Sequence, residues 1–230
     1  MQSKKAYILK IDTPISNEYA KVCADSCDKV GLDWEYSEGF SNMTAKAALG
    51  QLNIPNLPSE PYQYIDNPPT SHKAFMCTAG HFRIWQKIAK GKEDIGVVLE
   101  HDAFMFHNFA VHIPDDRIVV LGYKLENIKR YDNEKAGSPK ELIDIDGHEG
   151  AHAYAMTRKT AQMLLEELAN NGIRSAIDND YFIRKQRKTA IPLSIMSPTP
   201  AIGWLRQSTI WAKSAARNYE FIPSFQQNYK

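Results

Sequence analysis

The chain reads as an α/β protein, a mostly parallel sheet flanked by helices, and three stretches predict it. The opening alternates strand, helix and strand. A long helical pattern then runs into a short apolar strand at Ile95–Leu99. A further apolar strand, Ala151–Met156, runs into a helix with a stop signal at each end. Strand–helix–strand units pair their strands in parallel through a right-handed crossover, which puts helices on the sheet faces.

Taken in order, Ala6–Ile11 is apolar enough to be a buried strand, and Ser16–Val30 follows as a helix. Tyr19, Val22, Cys23 and Val30 lie near helical spacing there, with Gly31 just past the end. Asp33–Ser37 alternates Trp34 and Tyr36 with polar residues, as a strand does. Asn53–Thr70, with five prolines, is expected to be a long loop of the kind that often borders an active site. A helix from about Ser71 to Lys90 should bury Phe75, Ala79, Phe82, Trp85 and Ile88. Arg117–Leu121 is a further strand, and Tyr123–Gly150 is polar enough to be a surface excursion. Thr157 can cap the helix Lys159–Asn171, whose core face is Ala161, Leu164, Leu165 and Leu168 and whose end is Gly172. Ile177–Gln186 is read as a short helical stretch, and the chain from about residue 198 as a weakly patterned tail.

A length of 230 residues is a prior for one domain spanning 1–230. With 43% hydrophobic and 24% charged residues the composition is that of an ordinary globular protein, and a net charge of +1 argues against nucleic-acid or membrane-surface binding. No apolar run approaches the roughly 18 residues of a membrane span, and the first residues read as a strand and not as a secretory signal. A cytoplasmic location is expected. Three cysteines argue against a disulfide framework, and Cys23 and Cys27, four apart on one helix, read as reduced buried thiols.

The segment Cys77 to Ala103 carries the chemistry. Its strand ends in Glu100 and Asp102, and on an extended chain these two acids share a face while His101 points the other way. The carboxyl end of a buried strand is where open α/β sheets bind ligands. Two close carboxylates suit a hard divalent cation. Alone, they also fit a solvated strand end. His81, four residues before Trp85, fits a satisfied core histidine as well as a ligand contact. His101, His148 and His152 are open candidates for a place near the metal.

Cys77, His81, Trp85, Glu100, Asp102 and Ala103 resemble the signature of glycosyltransferase family 25, the lipopolysaccharide and collagen sugar transferases: C-x-x-S-H-x-x-x-W, a spacer, and an apolar strand ending in E-D-D-A. Gly80 stands where that pattern has Ser, and His101 where it has the middle acid. The segment from Gly150 to Leu165 is similar to the family's G-x-x-A-Y and A-x-x-L-L block. IRSAIDNDYF resembles a later stretch, matched at Asp178, and RQSTI at Arg206 to Ile210 its closing block. At the amino terminus AYILKID resembles the first strand and its closing Asp12, while Thr13 and Asn17 stand near the places of the family's arginines.

The resemblance implies a GT-A fold and transfer of a hexose, with inversion, from a nucleotide diphosphate sugar (a UDP-hexose) to a glycan or other hydroxyl. It implies a divalent metal, Mn2+ before Mg2+, on Asp102 and Glu100. Ile11, Asp12, Glu38, Cys77, His81 and Glu100 fall on the donor side, and Asp178, with Asp180 as alternate, is the base. Arg184, Lys185, Arg187 and Lys188 read as a solvated face, with a phosphate or acceptor contact as the alternative. The alternatives are a binding protein that keeps the fold without turnover, and the same chemistry on a protein or a modified nucleic-acid base.

Overall fold

The computed structural model of the chain describes residues 2–53, 68–124, 138–148, 150–173 and 176–203. The opening unit is as expected: β1 (Lys4–Lys10), α1 (Pro14–Val30) and β2 (Trp34–Glu38), with β1 and β2 paired in parallel. Thr13 caps α1 by accepting from Ser16 N, Pro14 starts the helix, and Gly31 ends it in the left-handed conformation a side chain would resist. A short α2 (Ala45–Leu52) follows, between the expected strand and the expected loop, where the sequence carries no assigned element. The long helix α3 (Pro68–Lys90) begins three residues earlier than expected, so Pro68–Thr70 belong to it and not to the loop; residues 54–67 of that loop lie outside the described residues.

β3 (Ile95–Glu100) pairs in parallel with β1 on the side away from β2. Then come β4 (Ala103–Met105), β5 (Ile118–Val120), β6 (Gly122–Lys124) and β7 (Glu141–Ile145). β8 (Ala153–Thr157) leads directly into α4 (Arg158–Asn171), capped by the Thr157 hydroxyl and ended at Gly172. β9 (Leu193–Ser197) and β10 (Ala201–Gly203) complete the described fold. The main sheet has the order β2-β1-β3-β8-β5-β9-β7, and a small sheet has β4-β10-β6. Along the main sheet β8 and β7 run against the other five strands, so the sheet is mostly parallel.

Three readings need correction. The helical stretch expected over Ile177–Gln186 is shorter: after a helical Ile177, Asp178–Phe182 forms a single π-type turn. The expected surface excursion, Tyr123–Gly150, contains an edge strand, β7, whose exposed Glu141 and Asp144 blunt the edge; residues 125–137 are outside the described residues. The expected tail contributes β10, which a short, locally unmarked stretch acquires only by pairing with β4 and β6. The RQSTI block and the tail's aromatic residues lie outside the described residues.

Period-two alternation sorts the sheet's side chains between two cores. Ala6, Ile8, Val97, Leu99, Ala153 and Ala155 pack with Ala20, Cys23, Ala24 and Cys27 of α1. Tyr7, Leu9, Val98, Tyr154 and Met156 pack on the other face with α2, α3 and α4. Phe75, Ala79, Phe82, Trp85 and Ile88 are all buried there, as their spacing predicts. Cys23 and Cys27 are free and buried. Close approach of α3 explains two glycines: a Cβ on Gly80 would come within 2.8 Å of Leu9 Cδ1, and one on Gly96 within 2.2 Å of Ile88 Cγ1. No described helix is long and apolar enough to cross a membrane.

Candidate functional site

β1 lies between β2 and β3, so the strand order reverses there, and α1 and α3 sit on opposite faces of the sheet. A crevice outside the carboxyl ends of the strands at such a reversal is the usual ligand position in open α/β sheets. Three strand ends meet at this edge. Lys10 pairs with Glu38, Leu9 with Glu100, and Glu100 N donates to His152 O from the start of β8. The stretches carrying Ile11, Asp12, Glu38, Glu100 and Asp102 therefore share one edge.

Glu100 is the last residue of β3 and shares the face of Gly96 and Val98, which is the α3 face. Cys77, His81 and Trp85 come at intervals of four along α3, one stripe of that helix. Glu100 Oε1 stands 3.1 Å from His81 Nε2 and 3.7 Å from Cys77 Sγ. The other ring nitrogen of His81, Nδ1, is 2.8 Å from Tyr154 Oη, and Trp85 Nε1 donates to the same oxygen at 2.8 Å. His81, Trp85 and Tyr154 are wholly buried, whereas the Glu100 side chain keeps 26% of its surface exposed. His81 is a satisfied core histidine that also bonds the Glu100 carboxylate.

The electrostatics follow from this burial. Burial, followed by the Glu100 and Asp178 carboxylates, pushes the Cys77 thiol well above its ordinary range, so the sulfur keeps its proton and donates. Asp102 adds to the same effect. Three carboxylates therefore bear on one thiol. Burial likewise raises the Tyr154 phenol far above its usual range, against the opposing hydrogen bond from Trp85. The phenol keeps its proton too.

Asp102 needs a correction of reasoning. The strand stops at Glu100, and residues 101 and 102 form a turn, so alternation along an extended chain does not reach Asp102. It is buried at 3% exposure and its charge is felt by Cys23 on one face and Cys77 on the other. His101 stacks on Tyr19 of α1, ring centroids 5.9 Å apart. Among the described residues the group whose ligand-capable atoms all lie within 4.8 Å of one another is Cys77, His81 and Glu100. Asp102 stands beside that group and outside it.

Asp178 reaches the site through α3. Thr78, next to Cys77, accepts from Ile177 N at 3.0 Å, which fastens the π-type turn against the helix. Asp178 is half-buried, and Asp180 is buried at 6% exposure with its carbonyl bound by Lys188 N. On the β1–β2 side Glu38, Asp12 and Asn17 are exposed and Lys10 is partly buried. Glu38 pairs with Lys10 at 2.6 Å, and Asp12 accepts from Asn17 at 3.3 Å. His148 and His152 are buried with rings 5.9 Å apart. Of the basic run, Arg184, Lys185 and Lys188 are exposed, Arg184 in a solvated pair with Asp146, while the partly buried Arg187 donates to Tyr181 O.

Sequence reasoning missed Tyr154 and Trp85 as members of the site. The signal was present: both fall on positions that carry the family resemblance, yet nothing local shows that they share one hydrogen-bond chain.

No protein-family model and no curated protein matches the chain. Among solved structures it is similar to the glycosyltransferase GlyE of Streptococcus pneumoniae TIGR4, at 10% identity and a TM-score of 0.45 over 100% of this chain and 60% of that one. The apo form of GlyE is matched over 73% of this chain at 10% identity and a TM-score of 0.36, and the match spans 38% of the GlyE chain. The galactosyltransferase LgtC, in complex with donor and acceptor sugar analogues, is matched at 11% identity and a TM-score of 0.41, over 98% of this chain and 96% of that one.

Proposed function

We propose that this chain is a metal-dependent sugar transferase of the GT-A type, a single domain related to glycosyltransferase family 25. In this reading it moves a hexose from a UDP-linked donor to an acceptor hydroxyl with inversion. The observation that carries it is geometric: Glu100 ends β3 at the carboxyl edge of the sheet, bound by Cys77 and His81, with Asp102 in the turn that follows and the Asp178 turn fastened to Thr78 beside Cys77. Three acids gathered from two distant segments are costly to bring together unless a cation or a proton transfer uses them.

The donor set fits a hard divalent cation, because carboxylate oxygens are what such ions take and the nearby thiol keeps its proton. Asp102 and Glu100 would hold it, manganese before magnesium. Bound there, it supplies positive charge against the diphosphate of the donor. Ile11, Asp12 and Glu38 line the donor's nucleotide side; Cys77 and His81 act on the donor through Glu100. Asp178 accepts the proton of the acceptor hydroxyl as its oxygen bonds to the anomeric carbon and the bond to the diphosphate breaks. The buried Asp180 supports the turn.

The test is release of free UDP from UDP-hexoses, with and without manganese and with a panel of hydroxyl acceptors. Manganese-dependent release is the expected result. A protein that binds UDP but never releases it from a sugar would be a binding module, and the transfer chemistry would have to be given up.

A further inference from the structure

The chain from Trp85 to Glu100 has a direction. An indole N–H only donates, so Tyr154 Oη accepts at that bond. The phenol has one proton, and among the described residues the other partner of Tyr154 Oη is His81 Nδ1. Assigned to Nδ1, the phenol proton leaves the ring proton of His81 on Nε2. That proton is donated to Glu100 Oε1, 3.1 Å away. The run is Trp85 N–H to Tyr154 O–H to His81, and His81 N–H to Glu100.

We propose that Tyr154 and Trp85 are positioning residues, which act through His81 to orient the Glu100 carboxylate for the donor-bound cation. The inference rests on the functional reading of Glu100 above. Its physical basis is the burial pattern. Three polar side chains with no exposed surface must be mutually satisfied, because a broken link leaves a buried group without a partner. Glu100 is the member of the chain that reaches solvent, so the rigidity of the buried part is delivered to it. Cys77, donating to the same oxygen, restrains rotation of the carboxylate further. Partners that lie behind a metal ligand in this way commonly set metal affinity by about tenfold or more. The same geometry separates two readings of the Cys77–His81–Glu100 group. A metal on Nε2 would displace that proton and move the ring proton to Nδ1, reversing the bond to Tyr154, so the scaffold and the three-ligand site are exclusive alternatives.

The test combines a tautomer measurement with binding. Long-range proton–nitrogen correlation spectra of ¹⁵N-histidine-labelled protein should show His81 with its proton on Nε2. In Tyr154→Phe that signature should change, and binding of manganese with UDP should weaken by about tenfold. Trp85→Phe, which removes only the N–H donor and keeps an aromatic ring, should weaken it by a smaller factor, and it carries the test if Tyr154→Phe does not fold. A proton found on Nδ1 in the wild type would overturn the proposed direction. Folded variants with unchanged manganese–UDP affinity would overturn the positioning role while leaving the transferase reading in place. A wild type that binds neither manganese nor UDP would remove both. Titration with cobalt alone gives the last arm. A thiolate-to-cobalt absorption band that disappears in Cys77→Ser would make the group a metal site and overturn the scaffold.

Discussion

Glu100 and Glu38 end two strands of one sheet at the same edge, yet opposite kinds of structure hold them. Glu100 is bound by a wholly buried histidine, which in turn is bound by a buried tyrosine and tryptophan. Glu38 is exposed; its carboxylate pairs with Lys10 and its carbonyl accepts from Arg83. Exposed pairs of that kind contribute about 0–1 kcal/mol, because water and salt screen them and two long side chains must be ordered. A buried polar chain has less freedom: each link is set by the one behind it. The β3 end of the edge is therefore rigid by construction, and the β1–β2 end is adjustable. In the function proposed above, one end would be fixed for a cation and the other would adapt to a nucleotide.

The largest effect that would break this contrast is at Asp102. Asp102→Asn keeps the shape but loses the charge that would hold the cation, and metal-dependent donor binding should disappear. Manganese titration in the presence of UDP measures this, and an unchanged affinity would show that Asp102 is not a ligand. Next is Trp85→Ala. It removes a fully buried indole packed against Phe82 and Tyr181 and deprives Tyr154 of its donor, so urea unfolding should show a loss of about 3–5 kcal/mol. A loss below about 1 kcal/mol would mean that the chain behind Glu100 is not the rigid element supposed here.

Asp178→Asn should leave donor affinity nearly intact and cut transfer by roughly a hundredfold, the usual contribution of a positioned proton acceptor. Steady-state kinetics with donor and acceptor varied separately checks the split. If Asp180→Asn is the inactive variant instead, the base lies two residues along. Glu38→Gln should cost no more than about 1 kcal/mol of stability.

The smallest effect sharpens the exposed end. Burial by itself would raise the Glu35 carboxyl, but the Lys87 and Lys5 hydrogen bonds outweigh it and hold the group below its usual range. A carboxylate lowered in the folded state stabilises above its unfolded pKa, and that contribution is lost as the pH falls through the folded one. Glu35→Gln should therefore be less stable than the wild type at neutral pH by under about 1 kcal/mol, with the difference shrinking as the pH falls below the ordinary carboxylate range and gone below the lowered folded value. Thermal melts across that range give the comparison.

What was legible in the sequence was whatever is written locally. Helices α1, α3 and α4 show their apolar stripes at three and four residues and their stops at Gly31 and Gly172, because helix geometry is set by near neighbours in the chain. β1, β2 and β3 were legible because each is a marked run beside a helix. The acids of the site were visible as residues, and the resemblance drew them into one list.

Pairing decided the rest. β7, β9 and β10 carry little local signal and become strands only against partners far away in the chain. The turn at 101 and 102 takes Asp102 out of strand register, which no alternation rule could show. Nothing near His81 in sequence says that its ring binds Tyr154, 73 residues away, or that the same oxygen takes the proton of Trp85. Sequence by itself determined which groups could donate and accept, since side-chain chemistry is local. Only the tertiary structure decided who faces whom, because a hydrogen-bond chain needs its members within about 3 Å, and that distance is closed by packing a helix against a sheet.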